Sequence, residues 1–338
     1  MSARASCLIT GISGMVGSHL ADHLLAHTDW DVHGLLRWND DLGNLDHLLP
    51  RINDKDRVAL VHGDLNDPTS LVRAVAKAAP DYVFHLAAQS YPKTSFDAPL
   101  ETLQTNILGT AGLLEAIRQS GRAPVVHVCA SSEVFGRVPK SLLPIKEDAP
   151  FHPASPYAIS KVGTDLVGRF YAEAYGMCVV TTRMFTHTGP RRGDVFAESS
   201  FAKQIAMIEE GRIAPVLRVG NLDSLRTWAD VRDAVRAYHL LVTVDPIAGE
   251  YYNIGGSHSC TVGAMLQHLL SLSTRDDIEL QVDPERLRPI DADLQVPDTG
   301  KFRAHTGWQP LIPFAQTMQD LLDWWRERVG SGRNFLVR

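Results

Sequence analysis

The chain has 338 residues, 44% of them hydrophobic, and a formal net charge of −6. That length can bury a sizeable core in one large or two interlocked domains, and the lack of a basic excess argues against bulk nucleic-acid binding. No apolar run approaches the roughly 20 residues that span a bilayer, and the first residues lead almost at once into a short strand, so a cytoplasmic protein away from membranes is expected.

Cys7, Cys129, Cys178 and Cys260 are far apart in mostly apolar surroundings, which reads as four buried thiols. They form no C-x-x-C pair and the 14 histidines no H-E-x-x-H, so no metal is expected.

Ser6-Cys7-Leu8-Ile9-Thr10 reads as a buried strand, followed by Gly11-Ile12-Ser13-Gly14-Met15-Val16-Gly17 and a helical run from Ser18 to His27. In that setting a dinucleotide pyrophosphate sits at the positive end of the helix, which makes Gly11, Ser13, Gly14, Met15, Val16 and Gly17 candidate cofactor contacts. A plain strand-to-helix turn is the competing reading. Asp31 to Leu36 supplies a second strand, and Arg37 stands where a ribose-binding acid is expected for NAD. A guanidinium suits a 2′-phosphate and so favours NADP; the alternative is a surface arginine, with Asp40 or Asp41 on the ribose.

Val58 to Leu65 looks like a third strand running into a turn, where Asp64 is placed to bind an adenine amine or to serve as an N-cap or turn aspartate. Ser70 to Ala79 has helical spacing. Tyr82 to Leu86 forms a fourth strand, left by Ala87-Ala88-Gln89-Ser90, whose small residues allow close approach to the cofactor. Asn106 and Gly109 fall in the next helical run, and Val125 to Val128 is a fifth strand delivering Ala130-Ser131-Ser132-Glu133. This alternation implies an α/β fold with a doubly wound parallel sheet, in which ligands bind outside the carboxyl ends of the strands; Ser131 and Glu133 are at that edge.

In Ser155-Pro156-Tyr157-Ala158-Ile159-Ser160-Lys161 a tyrosine precedes a lysine by one helical turn, on one face. A phenol, with an ordinary pKa of about 10, is easier to ionise beside an ammonium group, which suits proton exchange with a sugar hydroxyl. The bland alternative is a solvated helix face.

Beyond the strand Val179 to Met184 the alternation weakens. The spacing predicts a helix over Phe201 to Glu210, a short strand from Pro215 to Val219, a helix opened by Arg226 to Asp233, and a strand from Tyr251 to Gly256. An amphipathic helix around Leu321 to Trp325 follows, its aromatics assigned to core or subunit packing, and Gly330 to Arg338 reads as a loose tail. The expected division gives 1–183 and 221–255 to a dinucleotide-binding domain, 184–220 and 256–330 to a substrate domain, and 331–338 to the tail. Arg218, Arg226 and Arg288 are candidate diphosphate contacts, since a guanidinium offers paired donors; each could equally be a surface residue.

Gly11-x-x-Gly14-x-x-Gly17, Asp64-Leu65, Leu86-Ala87-Ala88, Ser131 and Tyr157-x-x-x-Lys161 occur in the order found in the extended short-chain dehydrogenase/reductase family, which the chain resembles. Over nearly its full length it also resembles the enzymes that modify GDP-mannose. Val32 to Arg37 with Asn44 to Leu48 is similar to the NADP-binding loop of GDP-mannose 4,6-dehydratases, and Ser131-Ser132-Glu133 to their Thr-Ser-Glu. Gly189 to Gly193, Gly220 to Asp223 with Arg226 and Trp228, and Arg288-Pro289 with Asp293 match the substrate half. There are three departures: Thr186-His187 replaces Asn-His, Arg226-Thr227-Trp228 replaces Arg-Asp-Trp, and Trp38 replaces a second arginine. Phe201 to Ile205 and Gly307 to Pro310 are also similar to the reductases acting on the dehydratase product.

The resemblance implies a Rossmann sheet with a smaller, discontinuous α/β substrate domain. NADP would lie against the glycine turn, Arg37, Asp64, Leu65, Leu86, Ala87, Ala88, Tyr157 and Lys161. A GDP-hexose would meet Gln89, Ser90, Thr186, Arg192, Val219, Arg226, Arg288 and Asp293. The implied reaction is 4,6-dehydration, with hydride passing from C4 to the nicotinamide and back to C6. Tyr157 and Lys161 would handle the O4 proton, Ser131 would bind the O4 region, and Glu133 would take the C5 proton and protonate the departing O6. An NADPH-dependent 4-keto-reductase or 4-epimerase is the competing activity, and a non-catalytic NADP sensor the reading from another class. The family also implies a homodimer or homotetramer, with Arg191 and Arg192 reaching a neighbouring subunit.

Overall fold

The computed structural model describes residues 4–287, 290, 292–332 and 335, so the candidate contact Arg288 lies outside the described residues. In chain order the first half runs β1 (Ser6–Thr10), α1 (Met15–His27), β2 (Asp31–Leu36), α2 (Leu49–Asn53), β3 (Val58–His62), α3 (Pro68–Ala78), β4 (Tyr82–His85), α4 (Pro92–Asp97), α5 (Pro99–Leu103), α6 (Gly109–Gln119), β5 (Val125–Cys129), α7 (Pro156–Tyr175) and β6 (Val179–Met184). A π-helical segment, Gln104–Leu108, joins α5 to α6.

The second half runs β7 (His187–Thr188), α8 (Ala197–Glu209), β8 (Val216–Val219), β9 (Leu225–Asp230), α9 (Val231–Thr243), β10 (Tyr251–Ile254), β11 (His258–Thr261), α10 (Val262–Ser271), β12 (Glu279–Val282), β13 (Leu294–Gln295), α11 (Gly300–Thr306) and α12 (Phe314–Gly330).

Seven strands form one sheet in the order β10-β6-β5-β4-β1-β2-β3, with every pairing parallel. The strands are apolar and largely buried because both faces are covered. One face packs on α1 and α9 through Leu20, Leu24, Ala234, Tyr238 and Leu241, the other on α3, α6 and α7 through Leu71, Val75, Leu113 and Ile117. Strand order reverses between β1 and β4, and in such a sheet the crevice at that point receives a nucleotide.

A second sheet has β9 at its centre, antiparallel to β11 and parallel to β13 and β7. Two parallel strands, β8 and β12, stand apart. Phe201, Ile205, Met265, Leu266, Met318, Leu322 and Trp325 form the core of this half.

The structure corrects the sequence reading in several places. Leu225–Asp230 is a strand, not the opening of a helix: the Asp230 carboxylate accepts the Arg232 N–H at 2.8 Å as an N-cap, so the helix starts only at Val231. Of the four cysteines, all free, Cys7 is buried and the other three only partly so. The tail is not uniformly loose, since Phe335 meets Trp325 edge-on at 5.6 Å.

Candidate functional site

A cavity of about 550 Å³ opens at the carboxyl ends of β1, β4, β5 and β6, between the large sheet and the second half. Its floor is the glycine turn. Gly11 has φ +73°, and a side chain there would sit 3.0 Å from the Ala87 backbone. At Gly17 a Cβ would fall 2.2 Å from the Gly11 carbonyl oxygen, so helix α1 can approach the turn only with glycine at that position. Gly14 caps α1 without a side-chain hydrogen bond. The first N–H groups of a 13-residue helix therefore meet a cavity lined by Gly11, Gly14, Met15, Val16 and Gly17. That arrangement fits a pyrophosphate.

Leu86 and Ala88 line the same wall, where the Thr10 hydroxyl accepts the Leu86 and Ala87 N–H groups at 3.0 Å. Around the sheet edge, Ser13 donates to Asp40 at 3.4 Å, and Arg37 donates to Asp40 through Nε at 3.0 Å. Asp40 thus stands between the glycine turn and Arg37, whose side chain is 61% exposed. Asp64 accepts the Asn66 N–H at 2.9 Å as a turn aspartate. Leu65 is buried beneath Gly109, where a Cβ would meet its side chain at 2.7 Å.

The catalytic candidates converge on the cavity. Ser155 accepts the Ala158 N–H at 3.0 Å and Pro156 takes the first helical position, so α7 begins where Tyr157 faces inward. Ser131, Glu133, Tyr157 and Lys161 all line the wall. Ser131 caps the short 3₁₀ turn Ser132–Phe135, its Oγ accepting the Glu133 N–H at 3.2 Å. Lys161 donates to the Cys129 carbonyl at 2.8 Å. Asn106, buried in the π-helical segment, donates to Ser160 at 2.8 Å and accepts the Gln89 N–H at 2.8 Å, which locks α7 to the loop leaving β4.

The expected easing of Tyr157 ionisation by Lys161 is not what this environment produces. Burial pushes the phenol above its ordinary range, against the opposing pull of the Ser131 hydrogen bond and the Arg192 charge. Burial also pulls Lys161 below its usual value. Tyr157 is thereby held as a neutral phenol.

The substrate-half candidates separate into two groups. Ser90, Thr186, Arg192 and Arg226 line the cavity. Arg192 donates to Glu198 at 3.0 Å and lies over the Phe196 ring. Neighbouring Arg191, at φ +68°, donates to Asp22 of its own chain at 2.7 Å. Arg226 approaches Glu133 at 3.4 Å. The others serve the frame: Gln89 donates to the Tyr91 carbonyl, Val219 is buried at the end of β8, Asp293 accepts from Ser224 at 3.5 Å, and Arg218 points outward from β8.

Among the cavity residues that sequence reasoning did not single out as site residues are Arg286 and His187. Arg286 lines the wall and donates to Ser200 at 3.1 Å; its signal was its place two residues before Arg288. His187 is pulled down to about 4 by burial, with the Arg192 charge adding to the effect, and is therefore neutral at pH 7. Its Nδ1 meets the Phe185 carbonyl at 3.1 Å, an acceptor only, so Nδ1 carries the proton and Nε2 is an acceptor.

Compared with known proteins, residues 8–321 match the family model described as GDP-mannose 4,6 dehydratase. The chain belongs to that family. It is 33% identical over 331 residues to GDP-mannose 4,6 dehydratase 1 of Arabidopsis thaliana, covering 95% of this chain and 89% of that protein. It is 32% identical over 323 residues to the GDP-6-deoxy-D-mannose reductase of Pseudomonas aeruginosa, covering 95% and 97%. Among solved structures, RMD from Pseudomonas aeruginosa complexed with NADPH superposes with a TM-score of 0.81 at 30% identity, over 96% of this chain and all of that one. This chain is thus similar to a dehydratase and to a reductase at nearly equal identity.

Proposed function

We propose that the chain is an NADP-dependent GDP-mannose 4,6-dehydratase. The observation that carries this reading is Glu133, a carboxylate lining the same cavity as Ser131, Tyr157 and Lys161. Reduction or epimerisation at C4 needs only a hydroxyl-proton relay, whereas elimination across C5 and C6 also needs a base at C5 and an acid at O6. Glu133 is suited to both roles.

Bound NADP would supply a hydride acceptor at C4 and a donor at C6. The glycine turn, the open end of α1 and Arg37 are the groups that would hold it. Tyr157 exchanges the proton of O4, Ser131 binds the same oxygen, and Lys161 fixes the β5 end through Cys129. Glu133 takes the C5 proton and delivers it to O6 as water leaves, and C5 takes a replacement proton from solvent water when C6 is reduced, so the carboxylate ends the turnover ionised as it began. Arg192, Arg226 and Arg286, which line the cavity, are the diphosphate candidates, replacing Arg218 in that role.

The test is to mix the protein with GDP-mannose and NADP without reductant and follow proton NMR. The expected result is a new C6 methyl doublet. Binding without a methyl signal, together with NADPH consumption on the 4-keto sugar, would replace this reading with a reductase.

The same reading includes a division into 1–183 with 221–255 for the dinucleotide and 184–220 with 256–330 for the nucleotide sugar, although β9 and α11 pack across that line. It includes location in the cytoplasm, in keeping with four free cysteines and, among the described residues, no helix long and apolar enough to cross a membrane. It also includes a homodimer through the outer face of α5 to α7, where Leu100, Leu108, Ile159, Leu166, Phe170 and Tyr175 are exposed on helices that pack side by side. Light scattering is expected to give a dimer for the native chain and a monomer for the double variant Leu166→Glu, Phe170→Glu; a native monomer would rule the dimer out.

A further inference from the structure

We infer that Asp40 is a cofactor-specificity residue: its carboxylate takes up the donors on which a 2′-phosphate would depend, so that the site binds NAD about as well as NADP. The inference rests on the dinucleotide reading of the cavity and not on the reaction carried out there.

Both oxygens of Asp40 are engaged. Oδ1 accepts from Arg37 Nε at 3.0 Å and lies 2.9 Å from Arg37 Nη2, while Oδ2 accepts the Arg37 N–H at 3.1 Å and the Ser13 hydroxyl at 3.4 Å. The Asp40 side chain is only 17% exposed, although that of Arg37 stands largely in solvent. The surrounding loop is built on this carboxylate. Asn44, which lines the cavity, donates its side-chain amide to the Ser13 carbonyl at 3.0 Å, and Asp41 accepts the Gly43 N–H at 2.8 Å. The segment is therefore tied to the glycine turn twice, by Asp40 on the Ser13 hydroxyl and by Asn44 on the Ser13 carbonyl.

Charge sets the consequence. A phosphate monoester carries about −1.5 to −2 at pH 7 and three acceptor oxygens. From Arg37 to Asn44 the chain holds one cation, Arg37, against two carboxylates, Asp40 and Asp41. The guanidinium is already paired with Asp40, so a 2′-phosphate must separate that pair and bring a like charge beside a carboxylate. A ribose 2′-hydroxyl meets the opposite situation. It donates to a carboxylate without disturbing the charge balance, as it does to the acidic residue beyond the second strand in NAD-binding sheets. Arg37 thus favours the phosphate, Asp40 opposes it, and the two offset each other. Hydride transfer at the nicotinamide makes no demand on the 2′ position, so the chemistry does not restore a preference.

The experiment measures NADP and NAD affinity by calorimetry at one fixed ionic strength, since such contacts are screened by salt. The native chain is expected to bind the two within about tenfold of each other. Asp40→Asn keeps an oxygen acceptor for the Arg37 N–H and removes the charge; it should shift the NADP-to-NAD affinity ratio toward NADP by at least about tenfold. Asp40→Ser should shift the ratio the same way, which guards against a fault peculiar to one variant. Arg37→Met leaves the carboxylate unopposed and should make NAD the tighter ligand by at least about tenfold.

A native preference for NADP above about 100-fold, or a ratio that moves by less than about threefold in both Asp40 variants, would overturn the inference. A native chain that binds neither dinucleotide overturns it together with the dinucleotide site, a result read before any variant is compared. Because only binding is measured, a chain that reduces its sugar instead of dehydrating it gives the same answer, so failure of the dehydratase reading is told apart by the methyl signal alone.

Discussion

Tyr157→Phe is expected to lower turnover by about 10²–10⁴-fold while leaving the fold and nucleotide binding intact. The phenylalanine keeps the ring that fills the buried position at the start of α7 and removes only the oxygen that meets Ser131. Because burial holds the phenol neutral in the free protein, the hydroxyl can take the O4 proton only when a bound ligand supplies compensating charge, or by passing its own proton onward as it receives one. The loss should therefore fall on C4 oxidation as well as on methyl formation. That separates Tyr157 from Glu133, whose variants should stop after the first half. Rapid-mixing kinetics with C4-deuterated substrate would measure this, and turnover within a few fold of native would remove Tyr157 from the mechanism.

The second large effect is on stability. Arg183 of β6 is buried to 1% exposure and donates to Asp165 of α7 through Nε at 2.7 Å and Nη2 at 3.3 Å, with Nη1 given to the Glu147 carbonyl. Phe151 and Tyr251 lie against its guanidinium plane. Asp165→Ala leaves that charge with a carbonyl and aromatic faces but no counter-ion. Removing one partner of a buried pair typically costs about 3–5 kcal/mol, far more than losing a surface bridge. Equilibrium urea denaturation should show the midpoint falling accordingly. A change under about 1 kcal/mol would mean that the cage around Arg183 neutralises it without Asp165. Since α7 also carries Tyr157 and Lys161, some loss of activity should accompany the loss of stability, and it should be relieved at low temperature.

The half of the molecule built on the large parallel sheet was legible in the residues. Its strands are short apolar runs bounded by glycine, aspartate or proline, and a parallel sheet buried on both faces imposes that pattern strand by strand. Tyr157 and Lys161 could be paired because four residues of helix set their relation locally. The second half was harder because its elements are defined by distant partners. Residues 225–230 become a strand through pairing with 187–188, 258–261 and 294–295, and helical spacing continues straight through them. The approach of Arg226 to Glu133 joins residues 93 apart in the chain, which no local pattern encodes. The ionisation of Tyr157 was misjudged for a related reason: the adjacent lysine is visible in the sequence, whereas the desolvating walls come from several segments.

The position of β10 at the end of the large sheet has a consequence for how such proteins can diversify. That strand pairs with β6 but reaches it only after the chain has built most of the cavity wall, and α9, just before it, packs on α1. A chain ended at Met184 would leave β6 as an open edge and the α1 face uncovered. The two halves are thus not interchangeable modules, and a graft of the carboxy-terminal block from a relative would import part of the host's own core. New specificity is more accessible through the segments that line the cavity without entering either core, chiefly the loop from Arg191 to Phe196 and the turn from Gly220 to Ser224.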